Sequence, residues 1–319
     1  MPIGTDIPLA IELLNSNKLV AIPTETVYGL AANAFNEQAV LRIYQTKNRP
    51  QFNPLIIHSN HINRFEEWGL QIPDKVKILA NTFWPGPLTF IIPAHHKIPD
   101  IVTAGTGAVA IRVPNHPLTL SLLSQLNFPL AAPSANPSGF ISPTSAQHVN
   151  NQLGNKIDYI LDGGICKVGL ESTIISFLEE EPKILRFGGL ALEEIEKVLG
   201  HAILTNTNSN KIVAPGMLTK HYAPNHPLFL VDDIEKAIEG KDKNRIGVIS
   251  FYHTINEIPN SNQFTLSKNK DLNEAASHLF AAMRQLDNLD LDVIYAEKFP
   301  NTGLGYAIND RLKRASIQE

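Results

Sequence analysis

The sequence predicts an α/β protein built as two domains, and three observations carry that reading. Short apolar runs alternate with amphipathic stretches along the whole chain, the pattern of strands followed by helices. In the first 190 residues those runs empty repeatedly into loops rich in Pro, Ser, Asn and Gly, which is how an α/β sheet presents a ligand site at its strand ends. The chain has 319 residues, long for one domain and comfortable for two. A stretch rich in Asn and Thr, from His201 to Lys211, has no periodicity and separates the halves. The expected divisions are a larger domain over 1–200, a linker or lid over 201–226 and a smaller α/β domain over 227–319.

Taken in order, residues 6–15 read as a short amphipathic helix with Ile7, Ile11 and Leu14 on one face, and 19–22 as a strand. The stretch 23–30 is polar and ends at a glycine. Its Thr24 and Thr26 hydroxyls follow a strand, where they serve as turn caps or as ligands. Asn36 caps a helix that runs to about Thr46. Residues 47–58 then carry Lys47 and Arg49 two apart, a helix-ending proline, Asn53-Pro54, a short strand over 55–57 and His58. Fixed cations at such a break suit a polyanion, although the helix dipole also favours them there.

A helix over 73–83 leads to the rigid turn Trp84-Pro-Gly-Pro87 and a strand over 88–92. The strand over 108–113 is apolar except for Arg112. A buried arginine needs an anionic partner, either a protein carboxylate or a substrate carboxylate. A helix over 117–126 and a strand over 130–132 precede the polar loop holding Ser134, Asn136 and Ser138. Another helix begins near Thr144. Strands over 159–161, 173–177 and 183–187 and a helix over 193–199 complete the domain. Arg186 stands just before Gly188-Gly189, glycines that let a ligand approach the backbone. Residues 215–224 contain Met217, His221 and Tyr222, side chains seldom spent on a pure spacer. The smaller domain, of Rossmann-like size, has strands over 228–231, 246–251 and 293–296 and helices over 233–239, 272–286 and 306–314.

Composition and motifs exclude several classes. Hydrophobic content of 43% with 18% charge is that of a globular protein, and no apolar run approaches the roughly 20 residues that span a bilayer. No signal peptide is apparent, and the single Cys166 fits a reducing compartment, so a cytoplasmic protein with no membrane partner is expected. Residues 1–190 hold 13 Lys and Arg against 14 Asp and Glu, which argues against a general nucleic-acid footprint and leaves room only for weak RNA binding. There is no P-loop, no His-Glu-x-x-His, no paired-cysteine metal motif and no serine nucleophile elbow around Ser134. Gly303-Leu-Gly305 lacks the third glycine of a dinucleotide fingerprint and reads as a turn. What remains is a set of cations and small polar groups on separate loops, an inventory for binding and positioning rather than covalent catalysis.

Together these segments resemble the YrdC-like family of threonylcarbamoyl-AMP synthases. The matching stretches are 23–30, 47–58, 84–89, 112–117, 132–139 with 142–144, 161–164, 171–174 and 186–189, in family order; 215–224 and the C-terminal domain resemble the long, two-domain form. The resemblance implies an open, twisted YrdC-like sheet with a concave cleft, a Rossmann-like second domain, and a linker crossing the cleft mouth. It implies a nucleotidyltransferase that converts L-threonine, bicarbonate and ATP, with Mg2+, into L-threonylcarbamoyl-AMP and pyrophosphate. The product would pass to a transferase complex that modifies tRNA next to the anticodon.

The implied threonine site is Thr26, His58, Arg112, Ser134 and Ser172. The implied ATP site is Arg49, Asn53, Ala108, Asn136, Thr144, Arg186 and Tyr222, with Lys47 nearby. No catalytic side chain and no metal-ligating side chain is assigned. Ala108 stands where the family often has threonine, and Phe187 where it usually has proline, which leaves the path of the Arg186 loop open. The resemblance further implies that the threonine amine and bicarbonate form a carbamate whose oxygen attacks the α-phosphorus as pyrophosphate leaves. Residues 215–224 would be a lid through which Tyr222 reaches the nucleotide, or else a plain linker. Two other functions fit parts of the pattern. One is an RNA-binding module on a concave surface. The other is a carbamoyl-transfer enzyme of hydrogenase maturation, whose paired-cysteine zinc modules are missing.

Overall fold

A computed structural model describes residues 2–205 and 221–316. Its local elements begin where the side chains dictate. Asp6 caps the helix Ile7–Asn15 by accepting from Leu9 N, and Asn36 caps Glu37–Lys47 by accepting from Ala39 N. That second helix ends at Asn48 in the left-handed conformation (φ 51°). Ser145 caps Ala146–Leu153.

The larger sheet holds eleven strands among the described residues. Across it they run Ile3–Gly4, Tyr159–Leu161, Val20–Ile22, Gly29–Asn33, Leu130–Ala131, Ile56–His58, Ala108–Arg112, Leu88–Pro93, Thr173–Ser176, Lys183–Arg186 and Leu204–Thr205. Parallel and antiparallel pairs are mixed. One face packs a continuous core against the helices Glu37–Lys47, Asp74–Phe83, Ala146–Leu153 and Leu192–Leu199. The opposite face is covered by Ile7–Asn15 and Pro117–Ser124 at one end only. Farther along, that face shows a small apolar floor of Ile56, Ile91, Ala108, Ala110, Ile174 and Leu185.

The smaller sheet is parallel in order Leu228–Val231, Val293–Glu297, Ile246–Ser250, Gln263–Thr265. Its core, built on helices Leu272–Asp287 and Gly305–Ala315, is continuous with Val27, Ile141 and Leu170 of the larger domain and with Tyr222. The domains therefore share an apolar interface rather than meeting through a tether.

Several elements escaped the sequence reading: the strands Ile3–Gly4, Gly29–Asn33 and Gln263–Thr265, and the short helices Ile62–Glu67 and Asp100–Thr103. The stretch expected to be unstructured linker from 201 begins with Leu204–Thr205, which pairs in parallel with Lys183–Ile184. Residues 206–220, including Met217 and most of the expected lid, lie outside those described.

One contact fixes how closely the domains approach. Gly169 has φ +73°, and a Cβ there would lie 2.6 Å from the Ser277 Cα. Gly169→Ala is expected to lower unfolding free energy by on the order of 2–4 kcal/mol, combining left-handed strain with overpacking. Gly164→Ala is the control: its φ is +80° but nothing lies within 4 Å. It should lose only about 1 kcal/mol. Equal losses in urea unfolding would remove the close contact from the account.

Candidate active site

The open part of the sheet face carries a concave cavity of about 570 Å³ counting its mouth. Eight of the thirteen residues proposed from sequence line it: Thr26, Arg49, His58, Arg112, Ser134, Ser172, Arg186 and Tyr222. Strand alternation explains part of this convergence. His58 pairs with Arg112 across neighbouring parallel strands, so both point to the same face as the floor residues Ile56 and Ala110. Arg186 reaches that face by a different device. Ile184 pairs with Ile175 but Arg186 pairs with Ile174, so a one-residue bulge turns the guanidinium from the helix-covered side to the cleft side.

Backbone carbonyls hold each cation. Arg49 donates through Nε to the Asn53 carbonyl (3.1 Å) and through Nη2 to Asn53 Oδ1 (2.7 Å) and the Pro54 carbonyl (2.9 Å). Arg186 donates through Nε and Nη2 to the Ser172 carbonyl (3.1 and 2.9 Å) and through Nη2 to Ser172 Oγ (3.2 Å). Burial lowers the pKa of both guanidinium groups to about 10. Arg112 donates through Nε to the Gly86 carbonyl (3.2 Å) and through Nη2 to Thr26 Oγ1 (2.9 Å), and Nη2 also lies 2.8 Å from Glu25 Oε1. Of the two partners the sequence left open for Arg112, a protein carboxylate is thus present. Nη1 donates to no group among the described residues.

The other five proposed residues stand behind the lining. Lys47 is wholly buried, and its Nζ donates to the Ser134 carbonyl (2.6 Å) and the Asn136 carbonyl, pinning the loop that presents Ser134. Burial holds the Lys47 pKa well below its ordinary value. Asn53 buttresses Arg49. Asn136 Nδ2 donates to the Pro137 and Phe140 carbonyls. The Thr144 backbone N–H donates to His148 Nδ1 at 3.2 Å. Ala108 belongs to the apolar floor.

The glycines after Arg186 require a correction. A Cβ on Gly188 would lie 2.3 Å from the Ser172 carbonyl carbon and 2.4 Å from the Glu171 oxygen, and one on Gly189 would meet Val168 and Pro87. Their smallness lets protein pack on protein rather than admitting a ligand.

Sequence reasoning did not single out Glu25, Glu171 or Arg311. Glu171 lines the cavity, accepts from Ser142 Oγ and from Arg311 Nε (2.8 Å). Burial opposes its charge, but Arg311, Arg186 and Ser142 outweigh that and hold its pKa at about 2. Glu25 and Glu171 fell inside the matched segments, so their acidity was the available signal. Arg311, 140 residues from its partner, gave none.

His58 and His221 are both buried, and desolvation lowers their pKa to about 3, helped for His58 by the adjacent Arg112. The folded protein keeps both rings neutral, whereas the unfolded chain protonates them near pH 6.5. The stability they contribute is complete above about pH 6.5 and is lost as pH falls toward 3, at up to about 1.4 kcal/mol per pH unit for each ring. The urea midpoint should therefore fall between about pH 7.5 and about pH 5. The doubly substituted His58→Gln/His221→Gln chain should show a flatter slope, whatever its midpoint; an unchanged slope would assign the acid sensitivity elsewhere.

Comparison with known proteins places this geometry. Residues 12–188 match the Sua5/YciO/YrdC family model, described as telomere recombination, and residues 190–316 match the model described as the threonylcarbamoyl-AMP synthase C-terminal domain. A threonylcarbamoyl-AMP synthase of Pyrococcus abyssi is 42% identical over 97% of this chain and 94% of its own length. One from Bacillus subtilis is 41% identical over 96% and 92%. The crystal structure of P. abyssi Sua5 complexed with L-threonine superposes with a TM-score of 0.91 at 40% identity, covering 99% of this chain and 98% of that one.

Proposed function

The chain belongs to the threonylcarbamoyl-AMP synthase family, in the long two-domain form, and we propose that its cleft joins L-threonine, bicarbonate and ATP into L-threonylcarbamoyl-AMP with release of pyrophosphate. The observation that carries this is the convergence of eight separately encoded residues on one cavity, three of them arginines less than a tenth exposed.

Threonine is the substrate best supported, since a relative covering nearly the whole chain has been solved with it. Its carboxylate is assigned to Arg112, whose Nη1 has no protein acceptor among the described residues; Thr26, His58, Ser134 and Ser172 surround that group. The triphosphate is assigned to Arg49 and Arg186, with Tyr222 on the nucleotide side and Asn53, Asn136, Thr144, Ala108 and Lys47 supporting from behind. Neutral His58 hydrogen-bonds without charge. The amine nitrogen bonds to the bicarbonate carbon, water is lost and a carbamate forms. A carbamate oxygen then attacks the α-phosphorus, and the bond to the bridging oxygen of pyrophosphate breaks. Orientation and cationic stabilisation of the triphosphate supply the acceleration.

Among the described residues no group of three or more His, Cys, Asp or Glu is arranged to hold a metal, and Glu25 and Glu171 both face arginines. Magnesium would enter with ATP, held by the phosphates and water. No helix among the described residues is long and apolar enough to cross a membrane. We place the enzyme in the cytoplasm, where a downstream transferase complex would take the adenylate for tRNA modification.

Product should form only when threonine, bicarbonate, ATP and magnesium are all present, as read by chromatography of the adenylate; equal turnover with serine, or turnover without bicarbonate, would sink the assignment. Arg112→Ala should weaken threonine binding about ten- to a hundredfold, the loss of a charge-assisted pair of about 1.5–3 kcal/mol. ATP affinity should change far less. Calorimetry finding the reverse order would move Arg112 to the nucleotide side.

A further inference from the structure

We infer that Arg311, a residue of the smaller domain, is a positioning residue that holds the nucleotide side of the cleft in register; the inference rests on the function proposed above. Among the described residues, Arg311 is the bulkiest of the side chains fully shut off from solvent. It projects from helix Gly305–Ala315 into the larger domain and acts in several directions at once. Nε donates to Glu171 Oε2 at 2.8 Å, and Nη1 donates to the Phe187 carbonyl at 2.9 Å and to Asp310 Oδ2 at 2.8 Å. The guanidinium carbon lies 5.1 Å from the centre of the Tyr222 ring. Glu171 and Tyr222 line the cavity, and Phe187 directly follows Arg186, which lines it too.

Joining two domains does not call for such a group. The interface already has an apolar core and other polar bridges, among them Arg284 to the Ile141 carbonyl and Gln152 Oε1, and a buried ion pair adds little stability over well-packed hydrophobic residues. A planar fork with fixed donor directions adds orientation instead.

The remaining contacts point the same way. The Tyr222 ring stacks on Phe280 of the smaller domain (5.5 Å, 26°), and its neighbour His221 donates its N–H to the Arg314 carbonyl (3.3 Å). Phe187 stacks on Tyr306 (5.2 Å, 22°), which gives a purpose to the aromatic ring standing where the family usually has proline. The smaller domain therefore grips both the Arg186–Phe187 loop and Tyr222. Thr26, His58 and Arg112 do not share this dependence: their hydrogen bonds go to other partners in the larger domain. Ser172 is the link between the two sides, since it follows Glu171 and accepts from Arg186.

Loss of the fork should consequently separate the two ligands. The experiment measures MgATP and L-threonine binding, each alone, by calorimetry on the full-length wild type, Arg311→Met and the double variant Glu171→Gln/Arg311→Met. Arg311→Met leaves Glu171 buried without its cation and risks misfolding. The double variant removes both charges and keeps the fold measurable. In either, ATP affinity is expected to fall about ten- to a hundredfold, while threonine affinity stays within about threefold. A double variant that binds ATP like the wild type would show that Arg311 only neutralises Glu171. Parallel loss of both ligands in step with lost thermal stability would show a role in folding alone. Wild type that binds neither ligand would overturn the functional assignment itself.

Discussion

A guanidinium taken out of water must find oxygen, and that requirement organises the molecule around its cleft. Arg49, Arg112 and Arg186 are all less than a tenth exposed. Arg112 divides its contacts among the Gly86 carbonyl, Thr26 Oγ1 and the Glu25 carboxylate, while Arg49 and Arg186 donate to main-chain carbonyls, those of Asn53 and Pro54 and of Ser172. Lys47 does the same with Ser134 and Asn136. Carbonyls orient a cation without cancelling its charge, so the field remains available for an anion. The same bonds fix the loops that carry the other lining residues. Preparing the site for a polyanion and folding its loops are therefore one set of interactions.

The sheet shows why this cluster sits where it does. Helices cover one face from end to end but leave the middle of the other open, where alternation aims His58 and Arg112 outward. Residue parity alone would have left Arg186 buried among the helices; the bulge at Leu185 moves it across. The smaller domain closes this arrangement from one side, and Gly169 lets its backbone come near enough for Arg311 to reach Glu171.

Local signals made much of this legible from the sequence. Asn36 announced its helix because a cap is a short-range bond, and Ile7, Ile11 and Leu14 announced theirs by their spacing. The lining residues were nameable because they fall in recognisable segments that follow one another in a fixed order. Three kinds of information were not available locally. Gly29–Asn33 is a strand because Val20–Ile22 on one side and Leu130–Ala131, a hundred residues later, on the other supply its partners. The bulge depends on register between two strands, which no single strand encodes. Gly188-Gly189 read as room for a ligand because small residues signal close approach without saying by what; here it is the Glu171–Thr173 backbone. The Glu171–Arg311 pair lay beyond reach for the same reason, since in the sequence each residue alone reads as an ordinary surface charge although both are buried.

The chemistry of the ionisable groups also bears on the fate of a mixed anhydride held in this cleft. Such a product is destroyed by any base able to activate water. The carboxylates near the cavity, Glu25 and Glu171, both lie 2.8 Å from arginine nitrogens, and the low pKa of Glu171 makes it a feeble proton acceptor. Burial leaves His58 and His221 neutral but lowers their basicity by more than three pKa units below an ordinary imidazole, to about 3. Burial pushes the Tyr222 hydroxyl up to about 12, so it stays protonated. Among the described residues lining the cavity, strong cations thus stand beside weak bases. A site composed in this way stabilises charge moving onto phosphate while offering water little help, and the burial that makes the arginines effective is also what disarms the bases.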